Sequence, residues 1–408
     1  MLKRHLHPHF DHLLTHFPCV ALFGVRQCGK TTLLNHLPGQ WHYFDMENAA
    51  DRQQVLADPD LFLRLHSAAV VIDEAQLAPP LFPALRVAID RAREKKGRFV
   101  LSGSSSPELA RNVAESLAGR IALTELGPLS LPEAFALEPS PIFPLLAERA
   151  SPQQLMDAAS PRVELRDLLT HWFQGGYPEP WLNTDPEFRR LWQRNYFDTY
   201  LLRDVGALFP TLNRDRYRQF IQVLSQTSGQ ILNNADIART LGVSEPTVRD
   251  WLNIAHGTYL WRHIPAWDRS PHKQLVRHPK GYLRDSGLLH RLLQIPDADS
   301  LSTHPQAGRS WEAYVTEQLL RGFANAGLPV TPFHYRTRGG AEIDLILEGD
   351  CGLLPVEIKL GTRIEPRALR ALEEFVADHD CPLGLVVGND EKPRRLSERV
   401  VSIPASSL

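Results

Sequence analysis

The sequence has 408 residues, a hydrophobic content of 43%, a charged content of 23% and a formal net charge of -2. This composition excludes a disordered or fibrous chain, and the length predicts two to four domains. The near-neutral charge argues against a protein that coats nucleic acid by bulk charge, although it is compatible with a local basic face. Four scattered cysteines form no disulfide framework. No apolar run is long enough to span a membrane, so we expect a cytoplasmic protein without a membrane partner.

Short apolar runs alternate with helical patterns in the first third of the chain. The runs at residues 19–23, 41–44, 68–72 and 99–101 have the character of buried strands. Strands separated by helices are typical of parallel crossover units. The pattern therefore predicts an α/β domain built on a parallel sheet.

A glycine-containing loop follows the first of these strands and matches the pattern GxxxxGK[ST] in full. Its glycines let backbone N–H groups face phosphates, and the helix that follows adds the positive end of its dipole. Lys30 is expected to contact the β- and γ-phosphates of ATP, and Thr31 to bind Mg²⁺. The strand before and the helix after the loop disfavour a chance glycine turn. The residues predicted to bind the nucleotide are Gly24, Val25, Arg26, Gln27, Cys28, Gly29, Lys30, Thr31 and Thr32.

The apolar run at 68–72 ends in two carboxylates, Asp73 and Glu74. Asp73 is expected to hold Mg²⁺ through water, and Glu74 to polarise the water that attacks ATP. The alternative is a solvated acidic pair at a strand end. The next strand ends in hydroxyls, one of which, Ser104, is a candidate for contact with the γ-phosphate or the attacking water. Serines also mark ordinary turns.

These motifs resemble the AAA+ ATPases of the additional-strand, catalytic-glutamate group. More narrowly, the chain resembles a widespread prokaryotic AAA+ family, which segments 115–120, 175–179 and 200–205 also fit. The resemblance implies a P-loop AAA+ domain at 1–125, a helical lid at 126–212, a winged helix-turn-helix at 213–285 and a restriction-endonuclease-like domain at 300–408.

The same resemblance implies a homo-oligomer, such as a ring, in which an arginine of one subunit reaches the γ-phosphate bound to the next. Arg120 and Arg203 are the candidates. Each could instead form a surface salt bridge. The lid carries no convincing second-sensor arginine motif, which leaves the ring geometry open.

The sequence pattern of residues 234–252 predicts two helices around a tight turn at Gly242. Ser244 is the expected N-cap of the second helix, with Pro246 in its first turn. The exposed face of that helix carries the candidate DNA contacts Thr247, Arg249 and Asn253. Because this face has mixed charge, phosphate neutralisation is expected to come from elsewhere. The candidates for that role are Arg262, His263, Arg269 and Lys273. The alternative is a winged helix that contacts protein.

Two alternating strand patterns near the end of the chain place charged side chains opposite apolar ones. Asp344 lies opposite Ile343 and Leu345 in the first, and Glu357 and Lys359 share one face of the second. Upstream, Glu312 lies near an apolar helix face, where a carboxylate is costly without a cation. Two adjacent strands could therefore gather these charges in one cluster.

This cluster resembles the PD-(D/E)xK nuclease core. The resemblance implies that Asp344 and Glu357 bind Mg²⁺, that Lys359 orients the attacking water and that Glu312 assists the metal site. The prediction is an ATP-hydrolysing, DNA-acting enzyme with a Mg²⁺-dependent nuclease-like domain. The rival is a nucleotide-switched regulatory protein that binds DNA or protein and whose C-terminal domain is catalytically silent.

Overall fold

A computed structural model describes residues 2–103, 116–200, 205–206, 209–270, 278–337, 339–350 and 352–408. The chain forms two compact units. The N-terminal unit comprises Arg4–Pro128 and Gly257–Tyr259, and the C-terminal unit comprises Leu129–His256 and Leu260–Leu408. Within the described ranges, no helix combines the length and the apolar character that a membrane crossing requires.

The N-terminal unit alternates helices and strands. Its helices are α1 (His7–His16), α2 (Lys30–Leu34), α3 (Ala49–Ala57), α4 (Pro59–Leu65) and α5 (Leu81–Asp90), with a 3₁₀ turn at Ala75–Leu77. Its strands are β1 (Cys19–Phe23), β2 (His42–Asp45), β3 (Val70–Asp73), β4 (Phe99–Gly103) and β5 (Ile121–Glu125). They form a parallel sheet in the order β2-β3-β4-β1-β5, which confirms the predicted parallel α/β sheet.

The sheet order puts β4 between β1 and β3. Every residue of β1, β3 and β4 is buried, which is expected of central strands in a parallel sheet. These strands and β2 were predicted with ends shifted by at most two residues. Strand β5 was missed because exposed Leu123 and buried Thr124 break the apolar run at this edge of the sheet.

The C-terminal unit begins with short helices and ends with a mixed sheet. Its helices are α6 (Leu131–Ala134), α7 (Ile142–Ala147), α8 (Pro152–Ala158), α9 (Leu165–Gln174), α10 (Pro178–Leu182), α11 (Pro186–Thr199), α12 (Arg214–Thr227), α13 (Asn234–Leu241), α14 (Glu245–Gly257), α15 (Ser286–Leu292), α16 (Ala298–Thr303), α17 (Ala307–Asn325) and α18 (Pro366–Asp378), with a 3₁₀ turn at Ala405–Ser407. Its strands are β6 (Gln230–Ile231), β7 (Trp261–Ile264), β8 (Lys280–Leu283), β9 (Val330–Arg336), β10 (Glu342–Gly349), β11 (Gly352–Ile358), β12 (Gly384–Gly388), β13 (Arg394–Arg395) and β14 (Val400–Pro404).

Two sheets organise this unit. A small antiparallel sheet has the order β6-β8-β7. The larger sheet has the order β13-β14-β12-β11-β10-β9. Its β9, β10 and β11 pair antiparallel, whereas β11, β12 and β14 pair parallel.

Helices α6 to α9 share one hydrophobic core with α17 and the larger sheet. The Phe143 and Phe323 rings lie 5.3 Å apart, and Trp172 and Trp311 lie 5.2 Å apart. A Cβ atom on Gly322 would lie 1.8 Å from the Phe143 ring, so only glycine fits there. The sequence predicts a separate helical lid at 126–212, whereas α6 to α9 complete the core of the C-terminal sheet. Local patterns could not reveal this packing, because its partners are more than a hundred residues apart.

Helices α13 and α14 form the predicted helix-turn-helix. Gly242 ends α13 in the left-handed conformation, at φ 63°. Ser244 caps α14, because its hydroxyl accepts a hydrogen bond from the Thr247 backbone N–H at 3.3 Å. The apolar stripes are buried as predicted at Ile237, Ala238, Val248, Trp251 and Leu252, and Leu241 is half-buried.

Candidate functional site

The loop between β1 and α2 is shaped by its two glycines. Gly24 has φ +152°, and a Cβ atom there would lie 2.1 Å from the Leu126 carbonyl oxygen. Gly29 has φ +100° and caps α2. Buried Cys28 directs its thiol to the Leu126 carbonyl, 3.2 Å away. No larger side chain fits at Gly24, so the loop lies close against residue 126.

Lys30 is the buried charge of this loop, with 5% of the residue exposed. Its Nζ donates to the carbonyl oxygens of Gly24 at 2.9 Å and Val25 at 3.1 Å. The ammonium therefore lies inside the curl of the loop, bonded to uncharged groups. This is the position from which a lysine can turn to a phosphate oxygen.

Asp73, at the end of β3, is held by three hydroxyl groups. Thr31 Oγ1 donates to Asp73 Oδ2 at 2.9 Å. The Tyr43 hydroxyl also donates to Oδ2, and the Ser102 hydroxyl donates to Oδ1. The carboxylate that was predicted to hold Mg²⁺ thus contacts the threonine that was predicted to bind the same ion.

Further acidic groups converge on this edge of the sheet. Asp45, at the end of β2, pairs with Asp73 in the parallel register. Burial raises the pKa of Asp45, and the nearby Asp73, Glu47 and Glu74 carboxylates raise it further against a backbone hydrogen bond. Burial and then the hydrogen bond to Asp73 raise the pKa of Tyr43. The edge favours a bound cation, because it gathers negative charge in a partly buried place.

Glu74 follows Asp73 in the left-handed region, at φ 52°. A non-glycine residue there is uncommon and marks a local constraint. The side-chain amide of Gln76 donates to its carboxylate. The backbone thus turns sharply just after Asp73, and Glu74 is half-buried at the sheet edge.

The remaining residues of the loop differ in exposure. Val25 is buried, Gln27 has φ 62° and is exposed, and Thr32 is exposed. Arg26 forms an ion pair with Glu47 at 2.6 Å, outside the curl of the loop. Only part of the predicted set thus directs its side chains inward, and its last three residues, 30–32, belong to α2 rather than to the loop.

Of the two arginines predicted to act on a neighbouring subunit, the structure describes only Arg120. Arg120 forms a two-pronged ion pair with Asp90, at 2.7 and 2.9 Å, which is the surface salt bridge that the sequence left as an alternative. Hydrogen bonding to Asp90 raises the pKa of Arg120. Arg203 and Ser104 lie outside the described residues.

Sequence reasoning missed three residues of this site. Tyr43 and Ser102 hold Asp73 from the two strands that flank β3. Arg4 donates to the carbonyl oxygens of Cys28 at 2.6 Å and Gly127 at 2.7 Å. Parallel register could have indicated Tyr43, since it lies on the neighbouring strand near the same edge. Nothing local marks Arg4.

A second candidate site lies in the C-terminal unit. Glu312 from α17, Asp344 from β10, Glu357 from β11 and Lys359 just after β11 line one cavity of about 650 Å³. The cavity gathers the four predicted residues from separate elements. Leu345 pairs with Val356 in the antiparallel register, which puts Asp344 and Glu357 one step further along on adjacent strands.

The carboxylates of Asp344 and Glu357 have different partners, a backbone N–H for the first and a lysine side chain for the second. Asp344 Oδ2 accepts a hydrogen bond from the Ile358 N–H at 2.8 Å. Glu357 Oε1 forms an ion pair with Lys359 Nζ at 2.6 Å. Glu357 Oε2 is buried and has no hydrogen-bond partner. This orphaned oxygen is the feature of the cluster that best suits a cation, because a buried acceptor without a partner is costly.

Two residues that the sequence did not suggest contact Glu312 beside this cavity, and one of them, Lys280, lines it. Lys280 and Tyr282, both on β8, donate to the same oxygen of Glu312. Lys280 Nζ also lies 3.9 Å from Glu342. Burial lowers the pKa of Lys280, but the attraction of Glu312 and Asp344 outweighs it and the pKa rises. An ammonium from the small sheet thus lies among the predicted nuclease carboxylates.

Burial and mutual repulsion govern the carboxylates of this cavity. Burial, with the nearby charge of Asp344, raises the pKa of Glu312 to about 7 against the attraction of Lys280. Burial and Asp344 likewise raise the pKa of Glu357, against the attraction of Lys359. A divalent cation would relieve the repulsion in both cases.

The donor set fits Mg²⁺ only in a sparse form. Among the described residues, no group of three or more His, Cys, Asp and Glu side chains is arranged to hold a metal ion. Mg²⁺ is commonly held by one or two carboxylates, with water and substrate oxygens completing the octahedron. Asp344 and the orphaned oxygen of Glu357 supply such a pair.

The exposed face of α14 matches the prediction only in part. Arg249 and Asn253 are exposed, and Thr247 is half-buried with its hydroxyl 2.8 Å from that of Ser244. The basic residues expected to support this face are otherwise engaged, and Lys273 lies outside the described residues. Arg269 bonds to the Asp378 carbonyl and to His379.

The structure does not favour Arg262 and His263 as the groups that neutralise phosphate. Arg262 forms an ion pair with buried Glu317, which also contacts Arg284 at 3.4 Å and Arg321 at 3.8 Å. Burial lowers the pKa of His263 to about 4, so it is neutral near pH 7. The sequence could not show this, because the carboxylate that engages Arg262 lies 55 residues away.

One family comparison agrees with the fold of the N-terminal unit. Residues 16–135 match the family model of an AAA domain, and residues 165–299 and 307–408 match two domains of unknown function, DUF8612 and DUF4143. The Walker-type ATPase PABY2304 of Pyrococcus abyssi is similar to this chain at 14% identity, with a TM-score of 0.40, over 71% of this chain and 94% of that one.

The parallel sheet, its phosphate loop and the matched domain define an AAA-type ATPase domain. Uncharacterized protein Rv2008c of Mycobacterium tuberculosis is 34% identical to this chain over 394 residues, which are 96% of this chain and 81% of that protein. Uncharacterized protein Mb2031c of Mycobacterium bovis matches to the same extent. The chain belongs to the family of these mycobacterial proteins.

Proposed function

We propose that this protein hydrolyses ATP at the P-loop and uses that energy to act on DNA. In the proposal, α13, α14 and the small sheet form a winged helix that contacts duplex DNA. The C-terminal sheet forms a PD-(D/E)xK nuclease-like domain that cleaves DNA with Mg²⁺. The ATPase part is supported by the contact of Thr31 with Asp73 beside the enclosed ammonium of Lys30.

ATP hydrolysis would use the residues of the sheet edge in sequence. Lys30 would leave the Gly24 and Val25 carbonyls for the β- and γ-phosphates. Thr31 would bind Mg²⁺, which Asp73 would hold through water, and the ion supplies charge stabilisation to the phosphates. Glu74 would accept a proton from water as the water oxygen bonds to the γ-phosphorus. The bond from that phosphorus to the β–γ bridging oxygen would break, and ADP would leave.

Glu74→Gln tests this assignment. The amide cannot accept the proton, so we expect ATP binding to be retained and turnover to fall about 10²- to 10⁴-fold. Steady-state ATPase rates and titration calorimetry with ATP measure the two quantities. Glu94→Gln, an exposed carboxylate of the same unit, is the matched control. Unchanged turnover in Glu74→Gln would exclude Glu74 as the base.

The nuclease part is supported by the cavity that gathers Glu312, Asp344, Glu357 and Lys359. Asp344 and Glu357 would hold Mg²⁺, which lowers the pKa of a bound water and stabilises charge on the phosphate. Lys359 would orient the attacking water, and Glu312 would assist by adding negative charge nearby. The water would give its proton to solvent as its oxygen bonds to phosphorus. The bond from phosphorus to the strand oxygen opposite would break, and that oxygen would take a proton from solvent.

A second candidate function is favoured by one specific observation. Both ammonium groups of the cavity are engaged by carboxylates, Lys280 by Glu312 and Lys359 by Glu357. A cluster that neutralises itself in this way does not require a metal ion. The second candidate is therefore a nucleotide-switched regulatory protein whose C-terminal domain is catalytically silent.

DNA cleavage distinguishes the two candidates. Linear, circular and single-stranded DNA would be incubated with Mg²⁺ or Mn²⁺, with and without ATP. Wild type would be compared with Asp344→Ala and with Glu348→Ala, an exposed carboxylate on the same strand. Cleavage lost only in Asp344→Ala supports the nuclease. Absence of cleavage by a wild-type protein that hydrolyses ATP supports the regulatory candidate.

Assembly into a homo-oligomer is a further part of the proposal. If Arg120 acts on the nucleotide of a neighbouring subunit, it must leave its ion pair with Asp90. Arg120→Ala and Arg203→Ala would then each preserve ATP binding while the responsible one lowers turnover about 10³- to 10⁵-fold. Equal turnover in both variants and wild type would exclude both arginines.

A further inference from the structure

The C-terminal unit contains a second and larger cavity, of about 800 Å³, on the helices that precede and follow the helix-turn-helix. Helices α11, α12 and α15 form its walls, and the end of α9 closes it. We call it the arginine pocket, because five arginines line it: Arg189, Arg190, Arg194, Arg218 and Arg291. Asp198 is the one carboxylate among the lining residues that the structure describes.

Among the residues that the structure describes, most of the charge that lines the arginine pocket is uncompensated. Arg218 pairs with Asp198 at 3.0 Å. Arg190, Arg194 and Arg291 are exposed and form no ion pair with the described part of the chain. A net excess of four positive charges therefore lies on one surface of a chain whose overall charge is -2.

The arginines of α11 follow from helix spacing. Arg190 and Arg194 lie four residues apart, and Arg189, Gln193 and Phe197 follow the adjacent stripe at the same interval. Like charges at this interval repel and destabilise a helix. An anion between them would remove the repulsion.

The other lining groups are those that a nucleotide unit can use. Phe173, Phe197, Leu288 and Ile295 present apolar and aromatic surface, and glutamine amides line the cavity beside them. Bases stack on such surface, amides bond to base edges, and guanidinium groups bind phosphate through two parallel hydrogen bonds. An acidic peptide would bind to the arginines but would not need the apolar surface or the amides.

We infer that the arginine pocket binds a short segment of single-stranded nucleic acid. A concave cavity of this volume accepts an unstacked base, whereas a rigid duplex would reach only its rim. The pocket is also separate from the helix-turn-helix. Arg216 of α12 bonds to the Leu241 and Gly242 carbonyls of the turn, whereas Arg218, about 200° further around the same helix, faces the pocket. The inference therefore goes beyond the duplex contact proposed above.

Fluorescence anisotropy with a labelled ten-nucleotide DNA strand, in EDTA and without ATP, tests the inference on the full chain. Arg190→Gln/Arg194→Gln should weaken binding about tenfold or more. It should also make the slope of log K against log salt shallower by about 1.4, because two phosphate contacts are lost. Lys95→Gln/Lys96→Gln, an equal loss of exposed charge in the other unit, should bind as wild type does. Thermal unfolding midpoints check that both variants are folded.

Three outcomes would overturn the inference. The first is equal affinity of the pocket variant and wild type, or equal weakening in the lysine control. The second is a polyglutamate peptide that binds the pocket as tightly as the DNA strand, which indicates an acidic protein partner. The third is that a mononucleotide binds the pocket but the ten-nucleotide strand does not. Arg249→Ala separates this test from the duplex proposal, because it should weaken duplex binding and leave single-strand binding unchanged.

Discussion

The lysine of the phosphate loop and the lysines of the cavity that contains Glu312, Asp344 and Glu357 have opposite kinds of bonding partner. Lys30 bonds only to uncharged carbonyls and has no ion pair within the described part of the chain. Lys280 and Lys359 are each bonded to a carboxylate. The first site thus holds positive charge ready for an anion, whereas both ammonium groups of the second are already paired with carboxylates. An anion can bind the first by a change of hydrogen-bond partner alone, but a metal ion in the second must compete with resident ammonium groups.

We expect the largest effect on ATP binding from substitution of Lys30, whose charge is not neutralised by an ion pair in the described part of the chain. Lys30→Ala removes the cation of the loop, so we expect loss of measurable ATP binding and of turnover. Titration calorimetry with ATP and Mg²⁺ measures binding, and circular dichroism checks the fold. Lys96→Ala, an exposed lysine of the same unit, is the control. Tight ATP binding by Lys30→Ala would contradict the assignment of the loop.

Glu317, on the same helix as Glu312, is a buried carboxylate whose charge is neutralised by arginines. It therefore provides a further comparison with Lys30. Glu317 is 2% exposed and faces three arginines, so Glu317→Gln leaves buried positive charge without its partner. We expect the free energy of unfolding of the C-terminal unit to fall by about 3–5 kcal/mol. Urea denaturation measures this, with Glu374→Gln, an exposed residue of α18, as control. A loss below about 1 kcal/mol would show that the cluster adds little to stability.

The same carboxylate predicts how stability depends on pH. Burial raises the pKa of Glu317, but Arg262 and Arg284 outweigh it and the pKa falls to about 2, from an ordinary 4.5. A lowered pKa means that the ionised form stabilises the fold. Its contribution is complete above about pH 4.5 and is lost as the pH falls through about 2. Glu317→Gln should remove this part of the acid sensitivity, which urea denaturation between pH 5 and 2.5 measures.

Competition between Lys280 and a metal ion predicts a smaller effect. Lys280→Met removes one resident ammonium that lies against Glu312, so Mn²⁺ should bind the cavity about tenfold more tightly than in wild type at the same pH. Calorimetric titration with Mn²⁺ measures the affinity. Asp344→Ala in the same background should abolish the gain. Equal affinities of Lys280→Met and wild type would show that Lys280 does not compete.

The smallest effect concerns the support of Asp73. Tyr43→Phe removes one of the three hydroxyls that contact this carboxylate. The loss of one hydrogen bond should weaken Mg²⁺-dependent ATP binding by about 0.5–1.5 kcal/mol, a few-fold change. Calorimetry with and without Mg²⁺ measures it, and Tyr335→Phe in the other unit is the control. A larger change in the absence of Mg²⁺ would show that Tyr43 contacts the nucleotide instead.

The phosphate loop was predictable because its parts are close in sequence. Strand, loop and helix are consecutive, and Asp73 is marked by the apolar run before it. Asp344, Glu357 and Lys359 were predictable for a related reason, since strand alternation fixes which side chains share a face. Each of these inferences needs only the period of one element and a neighbour.

What could not be predicted depends on distant partners. The carboxylate that engages Arg262 and the lysine that engages Glu312 come from other elements, so the charge of either residue alone does not reveal its role. The packing of α6 to α9 on α17 has the same origin. The local sequence does not show which apolar stripe packs against which, because many stripes could pack together equally well.

The shared core also has a consequence for the order in which the protein is made. Residues 131–172 leave the ribosome well before residues 307–408, which supply most of the surfaces they pack against. At about 5–20 residues per second, this interval lasts on the order of tens of seconds. During it, the apolar faces around Phe143 and Trp172 lack the α17 side chains Phe323 and Trp311 that they pack against. The nascent chain therefore presents a target for chaperones in its middle, and a slower ribosome would lengthen its exposure.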